Sequence, residues 1–147
     1  MSERITYTLH ELVAEINSYA DSFLSRHYGV SYNLFELLAV LVEQAPTDIT
    51  GLAQCLGISK AAVSKRLPSL SEWVMSTPSA GRRIVLTPTE RARTLVAEAG
   101  GKLETRFASM FADSKMPGDT RPLAQISTEL NNQLAALTRT IKEKERP

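Results

Sequence analysis

Residues 48–70 read DITGLAQCLGISKAAVSKRLPSL, two short apolar-periodic segments hinged at Gly57, with polar and basic residues opening the second. Ala53 is a small residue that lets two helices cross closely, and Gly57 follows four positions later, where a tight turn needs positive φ. Leu52, Leu56, Ile58, Val63 and Leu67 supply the apolar side chains that such a pair would share. Any small helical hairpin can carry Ala-x-x-x-Gly alone, but here several positions agree at once, and the stretch reads as a helix-turn-helix. Thr47 or Asp48 is expected to cap its first helix and Ser59 its second, the side-chain oxygen accepting from an unpaired amide of the opening turn. Pro68 has no N–H for the Ser64 carbonyl, so the second helix is expected to span only Lys60 to Leu67.

Downstream the pattern shortens. Trp73 to Thr77 and Arg83 to Leu86 read as two strands joined through Pro78, Ser79, Ala80 and Gly81, a hairpin in the position of a wing. Thr87, Pro88 and Glu90 then predict a helix start, with Thr87 as N-cap, Pro88 in the first turn and Glu90 completing a capping box. That helix runs toward Phe111 with a stripe of Leu95 or Val96, Ala99, Leu103, Phe107 and Met110. Gly100 and Gly101 inside it cost roughly 1 kcal/mol each relative to Ala, which suggests a bend or a close helix contact. After a turn over Lys115 to Pro122, Leu123, Ile126, Leu130, Leu134, Leu137 and Ile141 form a narrow seam, and the tail KEKERP reads as frayed. A seam of that length needs another helix, supplied by a partner subunit or by the first helix of the same chain.

Upstream, Leu9, Leu12, Val13, Ile16, Tyr19, Ala20, Phe23 and Leu24 mark a helix with one apolar stripe up to His27, ended at Gly29. Ser31 is placed to cap a second, more apolar helix through Leu34, Phe35, Leu37, Leu38, Leu41 and Val42, interrupted at Pro46. The fold class is therefore mainly α with a small β-wing, a winged helix-turn-helix core flanked by N- and C-terminal dimerisation helices. One domain over 1–147 is expected, with 46–99 forming the winged part and 1–45 and 100–147 the helical, dimerising part.

The net charge of +1 hides a segregation along the chain. Residues 1–59 hold two basic and seven acidic side chains; residues 60–93 hold seven basic (Lys60, Lys65, Arg66, Arg82, Arg83, Arg91, Arg93) against Glu72 and Glu90. A basic island on the helix-turn-helix and wing is an electrostatic footprint for phosphate. No apolar run approaches the roughly 20 residues of a membrane span, and no secretory leader is read at the N-terminus. Cys55 is the single cysteine, so no internal disulfide can form and a cytoplasmic protein is expected. No metal-spaced His, Cys and carboxylate cluster, phosphate-cradling glycine loop or nucleophile with a base is present, so no metal, cofactor or catalysis is expected.

The order of elements resembles the MarR family of winged helix-turn-helix regulators over nearly the whole chain. The resemblance rests on ITGLAQCLGISKAAVSKRL at 49–67, on LTPTER at 86–91, similar to the family's Leu-Thr-Pro-x-Gly-Arg after the wing, and on the flanking helices. It implies a homodimer that binds a palindromic operator, commonly as a repressor, and that responds to a small phenolic or anionic effector or to oxidants. The effector pocket that it implies falls at the junction of the first two helices, near His27, Tyr28 and Tyr32. Three features depart from the family: Glu90 stands for glycine, Pro68 interrupts the second motif helix, and the wing lacks the acid that orients its arginine.

With Val63, Leu67 and Leu70 facing the core, Lys60, Ala61, Ser64, Lys65 and Pro68 share the opposite face of the second motif helix, free to enter a major groove. Lys60 and Lys65 suit phosphate or guanine, Ser64 either base or phosphate, and Ala61 a thymine methyl. Ser59 opens this helix, Arg66 lies at its flank toward phosphate, and Arg82 and Arg83 are the arginines available for a minor groove. The competing reading is a winged-helix protein-interaction module whose basic face meets an acidic partner.

Overall fold

A computed structural model describes residues 4–146. In chain order it contains α1 (Ile5–Tyr28), α2 (Tyr32–Gln44), β1 (Thr47–Asp48), α3 (Ile49–Leu56), α4 (Lys60–Arg66), a 3-10 turn (Leu67–Leu70), β2 (Val74–Pro78), β3 (Ile84–Pro88), α5 (Glu90–Asp113) and α6 (Leu123–Glu145). The described residues fall into two compact units, the first ending at Glu104 and the second beginning at Thr105.

In the first unit, α2 is the centre of the core. Leu37, Leu38 and Leu41 are wholly buried, and the helix packs on α1, α3 and β3. Ser31 caps it by accepting from the Leu34 N–H at 3.1 Å. Gly29, at φ 67°, ends α1 in the left-handed conformation that costs a glycine nothing. Only the C-terminal half of the α1 stripe is buried, at Ala20, Phe23 and Leu24, while Leu12 and Val13 are half exposed.

The helix-turn-helix forms as its sequence requires. Asp48 and Ser59 cap α3 and α4 from Gly51 N–H at 2.8 Å and Ala62 N–H at 3.0 Å, each such cap being worth about 1 kcal/mol. Gly57 turns the chain at φ 69°, and Leu52, Ala53 and Val63 close the shared core. Ile58 does not join them. It directly follows the left-handed glycine and remains 39% exposed. The α-helical hydrogen bonding of α4 stops at Arg66, and Pro68 sits in the first turn of the 3-10 segment, where a missing N–H breaks no bond.

The sheet has three strands in the order β1-β3-β2, all antiparallel. β1 was not expected. It is two residues long, too short for any periodicity, and pairs Thr47 with Leu86 and Asp48 with Val85. β3 also runs further than expected, Thr87 pairing with Met75 and Pro88 with Val74, so Thr87 is strand and not a helix cap. Thr89 takes that role, its Oγ1 accepting from Ala92 N–H at 3.2 Å and donating to the Glu72 carbonyl at 2.9 Å. Glu90 becomes the first helical residue, two positions too early for a capping box. Along α5, Ala92, Leu95, Ala99 and Leu103 are buried. A Cβ at Gly100 would lie 3.6 Å from Phe35 Cζ, an ordinary contact with α2.

In the second unit, Gly118 (φ 84°) lies in the turn before α6, where Arg121 bonds Asp119 at 2.7 Å and Glu129 at 2.8 Å. The Asp119 carboxyl is lowered to about 2, chiefly by the hydrogen bonds from the Arg121 side chain and backbone. Helix α6 continues to Glu145, so the acidic and basic tail is helical and not frayed; Pro147 lies outside the described residues. None of the α6 residues is buried, and Leu130, Leu137 and Ile141 are 46%, 38% and 51% exposed. Met110, assigned to the α5 stripe, is likewise 40% exposed.

Candidate nucleic-acid interface

Helix α4 lays its residues out by the helical period. Val63 is buried, Leu67 is half-buried and Leu70 is buried beyond it, while Lys60, Ala61, Ser64, Lys65 and Pro68 are exposed. Ser59 spends its hydroxyl oxygen on the cap and is itself exposed. The surface presented is thus a short, two-lysine face with a methyl and a hydroxyl between the charges.

The seven cations of residues 60–93 fall into two groups once their partners are known. Three arginines are engaged within the protein. Arg91 bonds Glu72 and lies 4.6 Å over the Trp73 ring; Arg66 Nη2 donates to the Asn33 carbonyl at 3.1 Å; Arg83 Nε donates to Asp48 Oδ2 at 3.2 Å. Among the described residues, the side chains of Lys60, Lys65, Arg82 and Arg93 make no hydrogen bond or ion pair within the chain. The charge available to an outside ligand is therefore concentrated at α4, the wing tip and the start of α5.

The wing arginine has its acid after all, supplied from outside the hairpin. Asp48 uses one carboxylate oxygen to cap α3 and the other to hold Arg83. Its carboxyl is held below the usual range, first by the Gly51 N–H and then by the Arg83 charge and hydrogen bond. The pair is partly exposed, so its contribution to stability is small, and its effect is to fix a direction. The bond takes Nε and leaves the terminal Nη groups of Arg83 without a partner in the chain. Arg82 and Arg83 line an open hollow of about 370 Å³ with Asp48, Ile49, Thr50 and Ile84, which puts both wing arginines beside the start of α3.

Gly51 explains why this arrangement fits. A Cβ there would come 2.4 Å from Thr47 Oγ1 and 3.3 Å from Asp48 Oδ1.

The three residues at the α1–α2 junction have separate surroundings. His27 and Tyr28 gather on Phe23, with ring centroids 4.7 Å and 6.1 Å from it, and the Tyr28 hydroxyl is 3.5 Å from Glu98 Oε1. The Lys102 ammonium lies 5.6 Å from the Tyr28 ring centre. Tyr32 is held through its backbone, its N–H donating to Asp21 Oδ1 at 2.8 Å, and its phenol is raised by burial and by the Glu36 charge. Cys55 is exposed on α3. Among the described residues no group of His, Cys, Asp and Glu could hold a metal ion, and no helix is long and apolar enough to cross a membrane.

No family model and no curated protein matches the sequence. Solved structures match the fold along most of the chain. A MarR transcriptional regulator from Methanosarcina mazei superposes with TM-score 0.72 at 17% identity, over 95% of this chain and 99% of that one. FabT of Streptococcus pneumoniae, solved in complex with DNA, gives TM-score 0.74 at 13% identity over 97% and 99%. CouR of Rhodococcus jostii, bound to p-coumaroyl-CoA, gives 0.70 at 17% over 92% and 91%. At these identities the likeness fixes the fold: the chain has the winged-helix architecture of MarR regulators.

Proposed function

We propose that this chain is a MarR-family regulator of transcription that binds duplex DNA sequence-specifically. The observation that carries the reading is the pairing of two surfaces on one scaffold. A solvent-facing α4 offers Lys60, Ala61, Ser64 and Lys65, and beside α3 a wing arginine is steered by Asp48 while its terminal nitrogens stay unengaged. An α-helix fits the major groove and an arginine on a ribbon fits the narrower minor groove. Lys60, Lys65 and Arg82 supply phosphate contacts that set register, with Ser59 and Pro68 bounding the reading face.

The protein acts as a homodimer on an inverted repeat, and binding at a promoter represses by occlusion. Support comes from the unburied seam of α6 and the exposed N-terminal half of α1, both apolar surfaces that a second copy of the chain would cover. Reading helices related by a two-fold would lie one helical turn of DNA apart, roughly 34–36 Å, with half-site centres about 10 base pairs apart. A small phenolic or anionic effector at the α1–α2 junction, near His27, Tyr28 and Tyr32, releases the operator.

Selection of genomic fragments by the purified protein at physiological salt tests this directly. Recovery of an inverted repeat is expected. Retention of unselected DNA, or of none, would favour the protein-interaction module instead.

A further inference from the structure

Arg66 belongs to the basic island and to the reading helix, yet its guanidinium does not face outward like Lys60 or Lys65. It is half-buried, and its Nη2 donates to the backbone carbonyl of Asn33 in the first turn of α2. The preceding residue of that turn is tied in the opposite direction. The Tyr32 N–H donates to Asp21 Oδ1, on α1, at 2.8 Å. Two successive residues of one helical turn therefore anchor α1 on one side and the end of α4 on the other.

The electrostatics of this turn are informative. A cation is disfavoured at a helix N-terminus, where unpaired N–H groups carry partial positive charge. Arg66 sits there nonetheless, bonded to a carbonyl, and the carboxylate of Asp21 at the Tyr32 N–H supplies the negative charge that the turn favours. Arg66 also lies in the last turn of α4, where a cation complements the helix dipole. The same side chain thus joins the end of α4 to the start of α2, whose Tyr32 N–H is held by the Asp21 carboxylate.

Helix α4 has little else to hold its far end. It is seven residues long, its α-helical hydrogen bonding stops at Arg66, and Val63 is its only buried side chain. We propose that Arg66 is a positioning residue and not a phosphate contact: with Asp21 it forms a bracket through the first turn of α2 that fixes the pitch of the reading helix. This inference rests on the DNA-binding reading, and it adds an acidic residue on α1, remote in sequence from α4, to the determinants of sequence preference.

The bracket is tested with the full chain and Arg66→Ala, Arg66→Gln, Asp21→Ala and Lys65→Ala. Binding is titrated on the selected operator and on a shuffled duplex over a series of salt concentrations. Backbone amide exchange of Lys60–Leu67 is measured separately without DNA. Arg66→Ala and Asp21→Ala are expected to weaken the operator about tenfold, the scale of one charge-assisted hydrogen bond, with little change on shuffled DNA and no change in salt slope. Arg66→Gln keeps a donor without the charge and is expected to retain most of the operator affinity. Amides of α4 should exchange faster in Arg66→Ala and Asp21→Ala, and at the original rate in Lys65→Ala. The proposal is overturned if Arg66→Ala weakens both duplexes alike with a salt slope lower by about 1 per subunit, the mark of a phosphate contact. Unchanged exchange in α4 overturns it equally. Should the parent protein prefer no sequence at all, the DNA reading fails, and amide exchange alone then decides the bracket.

Discussion

Asp48 and Arg83, 35 positions apart in the chain, share one charge-assisted hydrogen bond of 3.2 Å, and through it the cap of α3 and the aim of the wing depend on a single carboxylate. The coupling is reinforced by the sheet, because Asp48 is paired with Val85 of β3, the strand that begins directly after Arg83. Local helix chemistry and wing placement are therefore one problem for this sequence and not two.

Substitution separates the two duties. Asn is as good an N-cap as Asp but carries no charge. Asp48→Asn is expected to keep the melting temperature nearly unchanged while weakening operator binding about tenfold. Asp48→Ala should lose both, with stability lower by about 1 kcal/mol. Equal operator affinity in Asp48→Asn and the parent would remove Arg83 steering from the account.

Gly51→Ala reverses a familiar rule. In most helices the change is favourable by about 1 kcal/mol, but here the new methyl would meet Thr47 Oγ1 at 2.4 Å. Destabilisation is expected by thermal melting. In a Thr47→Ala background the same change should cost less, because the colliding hydroxyl is gone, and the difference between the two is the coupling of a double-mutant cycle.

Lys65→Ala combined with Arg83→Ala removes one charge from each half of the interface. Operator affinity should fall strongly and the salt dependence should become shallower, with oligomeric state unchanged by sedimentation. Full operator affinity in the double variant would sink the assignment of this face to DNA.

The α6 seam predicts assembly. Leu130→Glu with Leu137→Glu places two charges on residues already exposed in the single chain, at 46% and 38%. Folding of the subunit should survive by circular dichroism, and sedimentation should report loss of the dimer. A dimer that persists would assign subunit contact to another face.

Acid sensitivity is expected around Asp119. Its carboxyl is lowered to about 2 in the folded chain, so its stabilisation is complete above the unfolded carboxylate value of about 3.9 and is lost as pH falls from there through the folded value. The melting-temperature gap between the parent and Asp119→Asn should be constant near neutrality and close below about pH 4. A gap that widens on acidification contradicts the Arg121 pairing.

The sequence was most readable where one residue type serves one local purpose. Gly29 and Gly57 at helix ends, Ser31 and Ser59 as caps, and Pro68 as a stop each act within a turn of their own position, and each is found in that role. Errors arose where pairing across the chain overrides local grammar. Thr87 and Pro88 have every mark of a helix start, but opposite Met75 and Val74 they stay in the sheet, and the cap moves to Thr89. Asp48 was read as a cap, and its second oxygen was invisible because β1, which carries it to Arg83, is only two residues long. Arg66 reads as a flanking phosphate contact, and only the proximity of α2 gives its guanidinium a partner inside the chain.

The brevity of α4 has a consequence for how an operator can be found. Seven residues at 1.5 Å each give a rod of about 10 Å, roughly three base-pair steps long. So few letters recur throughout any genome by chance, and one reading helix alone carries too little information to name an address. For the proposed dimer, most of the address would then be written in spacing and symmetry: two short words, a fixed gap, and the shape of the groove between them.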